Sequence, residues 1–505
     1  MSDLTAYRNP VISGFHPDPS LCRVGADFYL VTSSFEYFPG VPIFQSRDLV
    51  HWRQIGHCLT RPSQLPLTGA KSSQGIYAPT LRHHAGVFYL VTTNVSGGGN
   101  FYVTARDAAG PWSEPVWLKD ETWGIDPSLF FDDDGKVYFT RHGGGERGGI
   151  FQTELDLTRA ALSADPRQIW AGTGGIWPEG PHLYKVAGRY YLLISEGGTS
   201  YGHSLTVARS DSPWGPFEPC PHNPILTHSA RVAHPIQATG HADLVQAENG
   251  TFWIALLGIR PAAGQHHHLG RETFLSPVVW DSAGWPVVNG GAGIELEMSS
   301  AGLPPALAQP LTPARDDFDA KTLDFCWNFL RNPSDADWSL SARPGWLRLN
   351  GNQASLDDVA SPAFVGRRQQ HFQCAASTLL EDHATNSDGE AGLCLRANEA
   401  NHYDLLVAHS SAGRSVRLRA RRLGSSELVA EAPLPEGPLV LSIEAQRDSY
   451  EFFWSIPGGA RHSLGTLPTR ALATEVVGGF TGVFIGLYAK AATADFDWFT
   501  YTPHD

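Results

Sequence analysis

The sequence predicts an all-β protein, a five-bladed β-propeller followed by a β-sandwich. Three observations carry this. A phrase recurs five times in the first 260 or so residues, roughly every 50–60 residues, a period that marks blades built of short strands. Glycine (52) and proline (36) are abundant, aromatics make up 11% of the chain, and no long stretch repeats apolar residues with a helical period. The composition then breaks at an Ala/Pro/Leu-rich stretch, beyond which new alternating segments begin.

Each repeat opens on one variable position, reaches a leucine a few residues later and ends on an aromatic pair. The copies are Asp18-Pro-Ser-Leu21 with Phe28-Tyr29, Ala78-Pro-Thr-Leu81 with Phe88-Tyr89, and Asp126-Pro-Ser-Leu129 with Tyr138-Phe139. Glu179-Gly-Pro-His-Leu183 with Tyr190-Tyr191 and His241-Ala-Asp-Leu244 with Phe252-Trp253 complete the set. Each reads as a strand, a Gly or acidic turn and a returning aromatic strand. Asp132-Asp133-Asp134-Gly135 is one such turn, expected in solvent, because the later ligands of a calcium loop are missing. Trp112 and Trp214 sit in similar Pro/Trp phrases, expected to cover outer edges of two blades. Residues 1–300 are assigned to the propeller, 301–315 to a linker and 316–505 to the sandwich, which closes on the alternating Ala494-Asp-Phe-Asp-Trp-Phe-Thr-Tyr501.

The net charge of −14 excludes nucleic acid and anionic membranes as expected partners, since both need a basic face. Six scattered cysteines, with no C-x-x-C spacing, make neither a disulfide framework nor a zinc site. The N-terminus lacks a charged region followed by an apolar run, so a cytoplasmic protein with reduced thiols is expected.

A packing repeat would hold its opening position constant. Here it varies toward ionisable groups, Asp18, Ala78, Asp126, Glu179 and His241, as expected of positions facing a shared cavity on the propeller axis. Three carboxyls crowded there repel, so at least one should keep its proton at neutral pH while another stays charged. Glycoside hydrolysis needs that division of labour. A non-catalytic carbohydrate-binding propeller would need aromatics and hydrogen-bonding groups but no protonated acid, and stands as the alternative of another class.

Phe15-His-Pro-Asp18-Pro-Ser, Gly124-Ile-Asp126-Pro-Ser-Leu-Phe and Trp177-Pro-Glu179-Gly-Pro-His-Leu-Tyr resemble the three catalytic blocks of family 43 glycoside hydrolases. Ser34–Ile43, Gly75-Ile-Tyr-Ala-Pro, Ala238-Thr-Gly-His-Ala, Leu269-Gly-Arg-Glu-Thr-Phe and Gly479-Phe-Thr-Gly482 extend the resemblance over nearly the whole chain. It implies an inverting, exo-acting enzyme that removes a terminal xylose or arabinose from neutral pentose oligosaccharides, with β-1,4-xylosidase favoured and α-L-arabinofuranosidase as the alternative. By position, Asp18 is the general base, Glu179 the general acid, and Asp126 tunes and orients the acid. Arg271 holds pentose hydroxyls, and His241 orients groups near the sugar or helps hold a water or calcium at the axis. Phe35 and Tyr77 wall the sugar pocket, and Phe480 is lent by the sandwich to close it, with Phe484 as the other aromatic considered. Well-known β-xylosidases of the family carry Trp where this chain has Tyr77, which leaves the preferred pentose open. No cofactor is required on this reading, a structural calcium near His241 is compatible with it, and so is a homo-oligomer. His266-His267-His268 is expected in a loop near the funnel mouth rather than on a metal, because adjacent strand residues face alternate sides. A retaining, sucrose-type propeller hydrolase would show an Asn-Asp-Pro-Asn block, which is absent.

Overall fold

The computed structural model describes residues 6–119, 124–262, 264–305, 314–383, 388–411 and 413–504. The five sequence repeats form five antiparallel sheets. Their first strands are Ser20–Val24, Thr80–His84, Ser128–Phe131, Glu179–Val186 and Gln237–Gln246. Each pairs with the strand that carries its aromatic pair, Asp27–Val31, Val87–Asn94, Val137–Gly143, Arg189–Glu196 and Phe252–Ile259. The ring is tied shut by Ala6–Arg8, which pairs with Glu297–Ser299, while the Asn9 amide and the Tyr7 hydroxyl donate to the Leu275 carbonyl.

Polar side chains on the first strands stitch the blades to one another. Ser20 Oγ donates to Asp243 at 2.6 Å, Arg82 pairs with Asp243 at 2.7 Å, the Tyr184 hydroxyl donates to Asp243 at 2.6 Å, and Ser128 meets His182 at 3.0 Å. All five blades contribute, so this is the axis. The buried Asp243 carboxylate would be costly alone. Burial pushes its pKa up, but Arg82 and His182 more than offset that and hold it well below the carboxylate range. The repeat leucines Leu21, Leu81, Leu129 and Leu183 are buried between blades. The turn at Asp132–Gly135 forms, but Asp132 itself is not in solvent: it is buried and accepts the Tyr190 hydroxyl (2.6 Å) and Lys185 ammonium (3.0 Å) of the next blade. Trp112 is buried in the apolar core, whereas Trp214 is half-buried beneath the Arg167 guanidinium.

From Arg315 the chain builds the sandwich, two antiparallel sheets to which, among the described residues, it supplies eight and seven strands. The intervening linker lies largely outside the described residues, which omit 306–313. One departure from the sequence reading couples the domains. Tyr37–Phe38, inside a propeller phrase, is the edge strand of a sandwich sheet, pairing with Phe329 and Leu330. It covers backbone groups that an open edge would leave unpaired. A continuous apolar cluster runs from Ile43, Leu65 and Ile76 of the propeller to Phe329, Val365 and Leu487 of the sandwich. Charges are buried in the same seam. Arg396, fully buried, stands 3.6 Å from both Glu36 and Glu399 and donates to Ser72 Oγ, while Arg331 bonds Glu399. His266–His268 also lies in this seam: His267 Nδ1 meets Glu475 at 2.8 Å, and the backbone of Val483 donates to His268.

A shared core predicts one unfolding unit. Calorimetry of the full chain should show a single transition, and Arg396→Ala, which strands the Glu36 carboxyl, should destabilise by about 3–5 kcal/mol. Two separated transitions, with only one shifted by the substitution, would contradict this.

Candidate active site

At one end of the axis lies a cavity of about 370 Å³. All five opening positions of the repeat, Asp18, Ala78, Asp126, Glu179 and His241, line it. Asp18 (φ 53°), Asp126 (φ 55°) and His241 (φ 43°) stand in the left-handed region that side-chain-bearing residues avoid. Such strain costs of order 1–3 kcal/mol per residue and concentrates at functional sites. Here it turns the chain just before two inner strands, at Asp18 and Asp126, and at a bulge within a third, at His241, and the polar side chain at each turn lines the cavity.

The three carboxyls have unequal partners. Asp18 accepts Arg271 Nη1 at 2.7 Å and Ser33 Oγ at 2.6 Å, and His241 Nδ1 stands 3.8 Å away. Burial would raise its pKa, but Arg271, His241 and the Ser33 hydrogen bond together hold Asp18 below the usual carboxylate range. Glu179 has no such support. Burial, then the charges of Asp126 and Asp18, push its pKa well above the usual range, against a smaller opposing pull from Arg271. Asp126 is also pushed up by burial, but it accepts the Gly180 N–H at 3.2 Å and feels His241. A proton shared between Asp126 and Glu179 therefore rests on Glu179.

The apolar wall is a trio of rings. Phe35 lies 5.3 Å from Tyr77 and 5.9 Å from Phe480, stacked on the latter, and Tyr77 meets Phe480 edge-on at 6.0 Å. Burial pushes the Tyr77 phenol up to about 12, so it stays a neutral hydroxyl. The Arg271 guanidinium stands over both Phe35 (5.7 Å) and Phe480 (5.5 Å). Phe480 is fixed by its backbone N–H, which donates to Ser73 Oγ at 2.8 Å, and Ser73 N–H donates in turn to Glu36. Phe484 does not reach the cavity: it is fully buried and stacks on Tyr37 at 3.7 Å.

All eight residues singled out from the sequence thus line the same hollow. Sequence reasoning passed over Ile125, Trp177, Gly198 and Thr199, which line it too. Thr199 accepts Arg271 Nη1 at 3.1 Å. Its signal was the Gly-rich Glu196-Gly-Gly-Thr-Ser200 turn at the cavity end of the fourth blade. Among the described residues no three His, Cys, Asp or Glu side chains converge as a metal-ligand set, and Asp18, the carboxylate beside His241, is engaged by Arg271 and Ser33.

A half-buried acid with a raised pKa, opposed by a charged carboxylate in an aromatic-walled pocket, is the machinery of a glycoside hydrolase. The comparisons agree. Residues 7–286 match glycosyl hydrolases family 43, and residues 315–502 match the β-xylosidase C-terminal concanavalin A-like domain. The chain belongs to family 43. It is 47% identical to the non-reducing end alpha-L-arabinofuranosidase BoGH43B of Bacteroides ovatus, covering 98% of this chain and 94% of the relative. It is 35% identical to a beta-xylosidase of Bacillus subtilis, covering 98% and 99%. Among solved structures, xylan beta-1,4-xylosidase from Bacillus halodurans superposes with a TM-score of 0.93 at 37% identity, over 98% of this chain and 100% of that one.

These protonation states set a pH profile. Asp18, with its lowered pKa, stays charged down to the acid side of the ordinary carboxylate range. Glu179, with its raised pKa, keeps its proton above that range and loses it as pH rises further. A plot of log(kcat/KM) against pH should fall on the alkaline side through Glu179 ionisation. In Glu179→Gln, assayed on a substrate whose leaving group needs no acid, that limb should vanish. A limb that persists unchanged would assign it to another group.

Proposed function

We propose that the protein is an inverting, exo-acting pentosidase that releases a terminal xylose or arabinose from short neutral oligosaccharides. The observation that carries this is the unequal surroundings of Asp18 and Glu179 in one pocket, which hold the first carboxyl below and push the second above the usual range. In the proposed reaction, Asp18 takes a proton from a water molecule, whose oxygen attacks the anomeric carbon. The glycosidic bond breaks and Glu179 gives its proton to the departing oxygen, so charge returns to Asp18 as that proton is later lost and Glu179 is reloaded from solvent. Asp126 keeps the proton on Glu179 by its own charge, which is felt most strongly once Glu179 would ionise. Arg271 serves twice. It holds Asp18 ionised, and its position over Phe35 and Phe480 at the cavity wall puts it in reach of pentose hydroxyls. Phe35, Tyr77 and Phe480 offer apolar faces to a sugar ring. The Phe480 roof limits the depth of the pocket to a chain end, which supports exo action.

The two pentose readings have about equal support. Beta-xylosidase names among the relatives favour the first, as the sequence did; the 47% identical arabinofuranosidase and Tyr77 in the place of Trp favour the second. A relative from Butyrivibrio fibrisolvens, 42% identical over 96% of this chain, is named for both activities. A cytoplasmic role on imported oligosaccharides fits the same reading.

Asp18→Asn should lower kcat by about 10²–10⁴-fold while the protein stays folded. Proton NMR at early times should show release of the inverted anomer. Near-normal turnover in Asp18→Asn, or a retained anomer, would overturn the water-attack assignment. Initial rates on 4-nitrophenyl β-D-xylopyranoside and α-L-arabinofuranoside decide between the pentoses.

A further inference from the structure

Trp177 is unlike the other aromatics of the cavity. Phe35 is buried and Tyr77 and Phe480 are half-buried, packed into one another, whereas Trp177 is 37% exposed. Among the described residues it is the large apolar residue of the lining that presents the most substantial free face, two residues before Glu179. Its backbone is in the left-handed region (φ 51°), a conformation that a bulky residue adopts only when held there. The holding contacts are visible. Its N–H donates to the Glu146 carbonyl at 2.8 Å, and the next carbonyl, of Pro178, meets His142 Nδ1 at 2.8 Å. The indole then rests 6.0 Å from the His142 ring and close over Gly198, where even a Cβ would lie 3.2 Å from it. Glycine at 198 (φ 66°) thus leaves room for the ring as well as for the turn.

The chemistry orients this feature. Glu179 protonates the departing oxygen, so the leaving sugar must lie on the acid's side of the cavity. The ring trio with Arg271 and Asp18 defines the side that holds the sugar to be released. We propose that Trp177 is the platform on which the leaving sugar stacks, and so a specificity-determining residue for the group on the far side of the scissile bond. The proposal rests on the pentosidase reading above. Its ligand is the apolar face of a pyranose or furanose ring, the chemistry that an exposed indole recognises. Binding energy spent there would favour oligosaccharides over substrates whose leaving group is small.

The test uses the full-length protein and matched substrates. One pair is 1,4-β-xylobiose and β-D-xylopyranosyl fluoride; the other is an α-L-arabinofuranosyl-substituted xylobiose and α-L-arabinofuranosyl fluoride. Within a pair the released sugar is the same, and only the oligosaccharide has a leaving ring. For the pair that wild type turns over, Trp177→Ala should lower the ratio of kcat/KM for oligosaccharide over fluoride about tenfold, chiefly through KM, and Trp177→Phe should recover most of it. An unchanged ratio, or a loss in kcat with KM intact, would overturn the platform and leave the pentosidase reading standing. Wild type that turns over neither pair would overturn the pentosidase reading itself, and the platform with it.

Discussion

The convergence of five inner strands on one axis is the constraint on which the rest depends. It brings the opening position of every repeat to one cavity, where the carboxyls are close enough to repel. Carboxyls placed there cannot all ionise, and the protein decides which one does by distributing partners unequally. Arg271, Ser33 and His241 gather on Asp18. Gly180 offers Asp126 a single N–H. Glu179 has only two carboxyls for electrostatic company, with Arg271 as a weaker counterweight. A lowered and a raised pKa are thus made by surroundings, from residues of almost the same intrinsic acidity.

The sandwich belongs to that constraint. Its sheet takes Tyr37–Phe38 from the propeller as an edge strand, and that strand follows directly on Phe35 and Glu36. Phe35 walls the cavity, and Glu36 holds Ser73, which holds the backbone of Phe480. From the other side, Glu475 of the sandwich anchors His267, four residues before Arg271, and accepts the Tyr201 hydroxyl just past Thr199. Phe480 on Ser73, the Phe35–Phe480 stack and the Arg271 guanidinium over Phe480 are all contacts that cross between domains. An accessory domain that only tethered substrate would not need to be built this way.

Much of this was legible in the sequence because the propeller repeats. The recurring Leu and aromatic pairs reported the packing positions, and the one position that varied reported the axis. That comparison located Asp18, Asp126, Glu179, His241 and even Ala78 without coordinates. Arg271, Phe35, Tyr77 and Phe480 do not follow from the repeat; they were reached through the resemblance of their blocks to a family. What stayed hidden depends on contacts distant in sequence. Asp132 looked like a solvent turn because its partners, Lys185 and Tyr190, lie on the next blade. Tyr37–Phe38 gave no sign of pairing with residues nearly three hundred positions away. Trp177 stood inside a recognised block and was read for its neighbour, since nothing local says whether a tryptophan faces the core or a cavity. Phe480 lies in the loop just before the strand Phe484–Lys490, and only packing separates the ring in the pocket from the one beneath it.

The central claim is that Glu179 holds a proton while Asp18 does not. The most direct measurement is a carbon NMR titration of protein labelled at its glutamate side-chain carboxyls, compared with Glu179→Gln. The account predicts one glutamate resonance that titrates well above the ordinary carboxylate range and is missing from the variant. A spectrum in which the resonance lost in Glu179→Gln titrates within that ordinary range would contradict it.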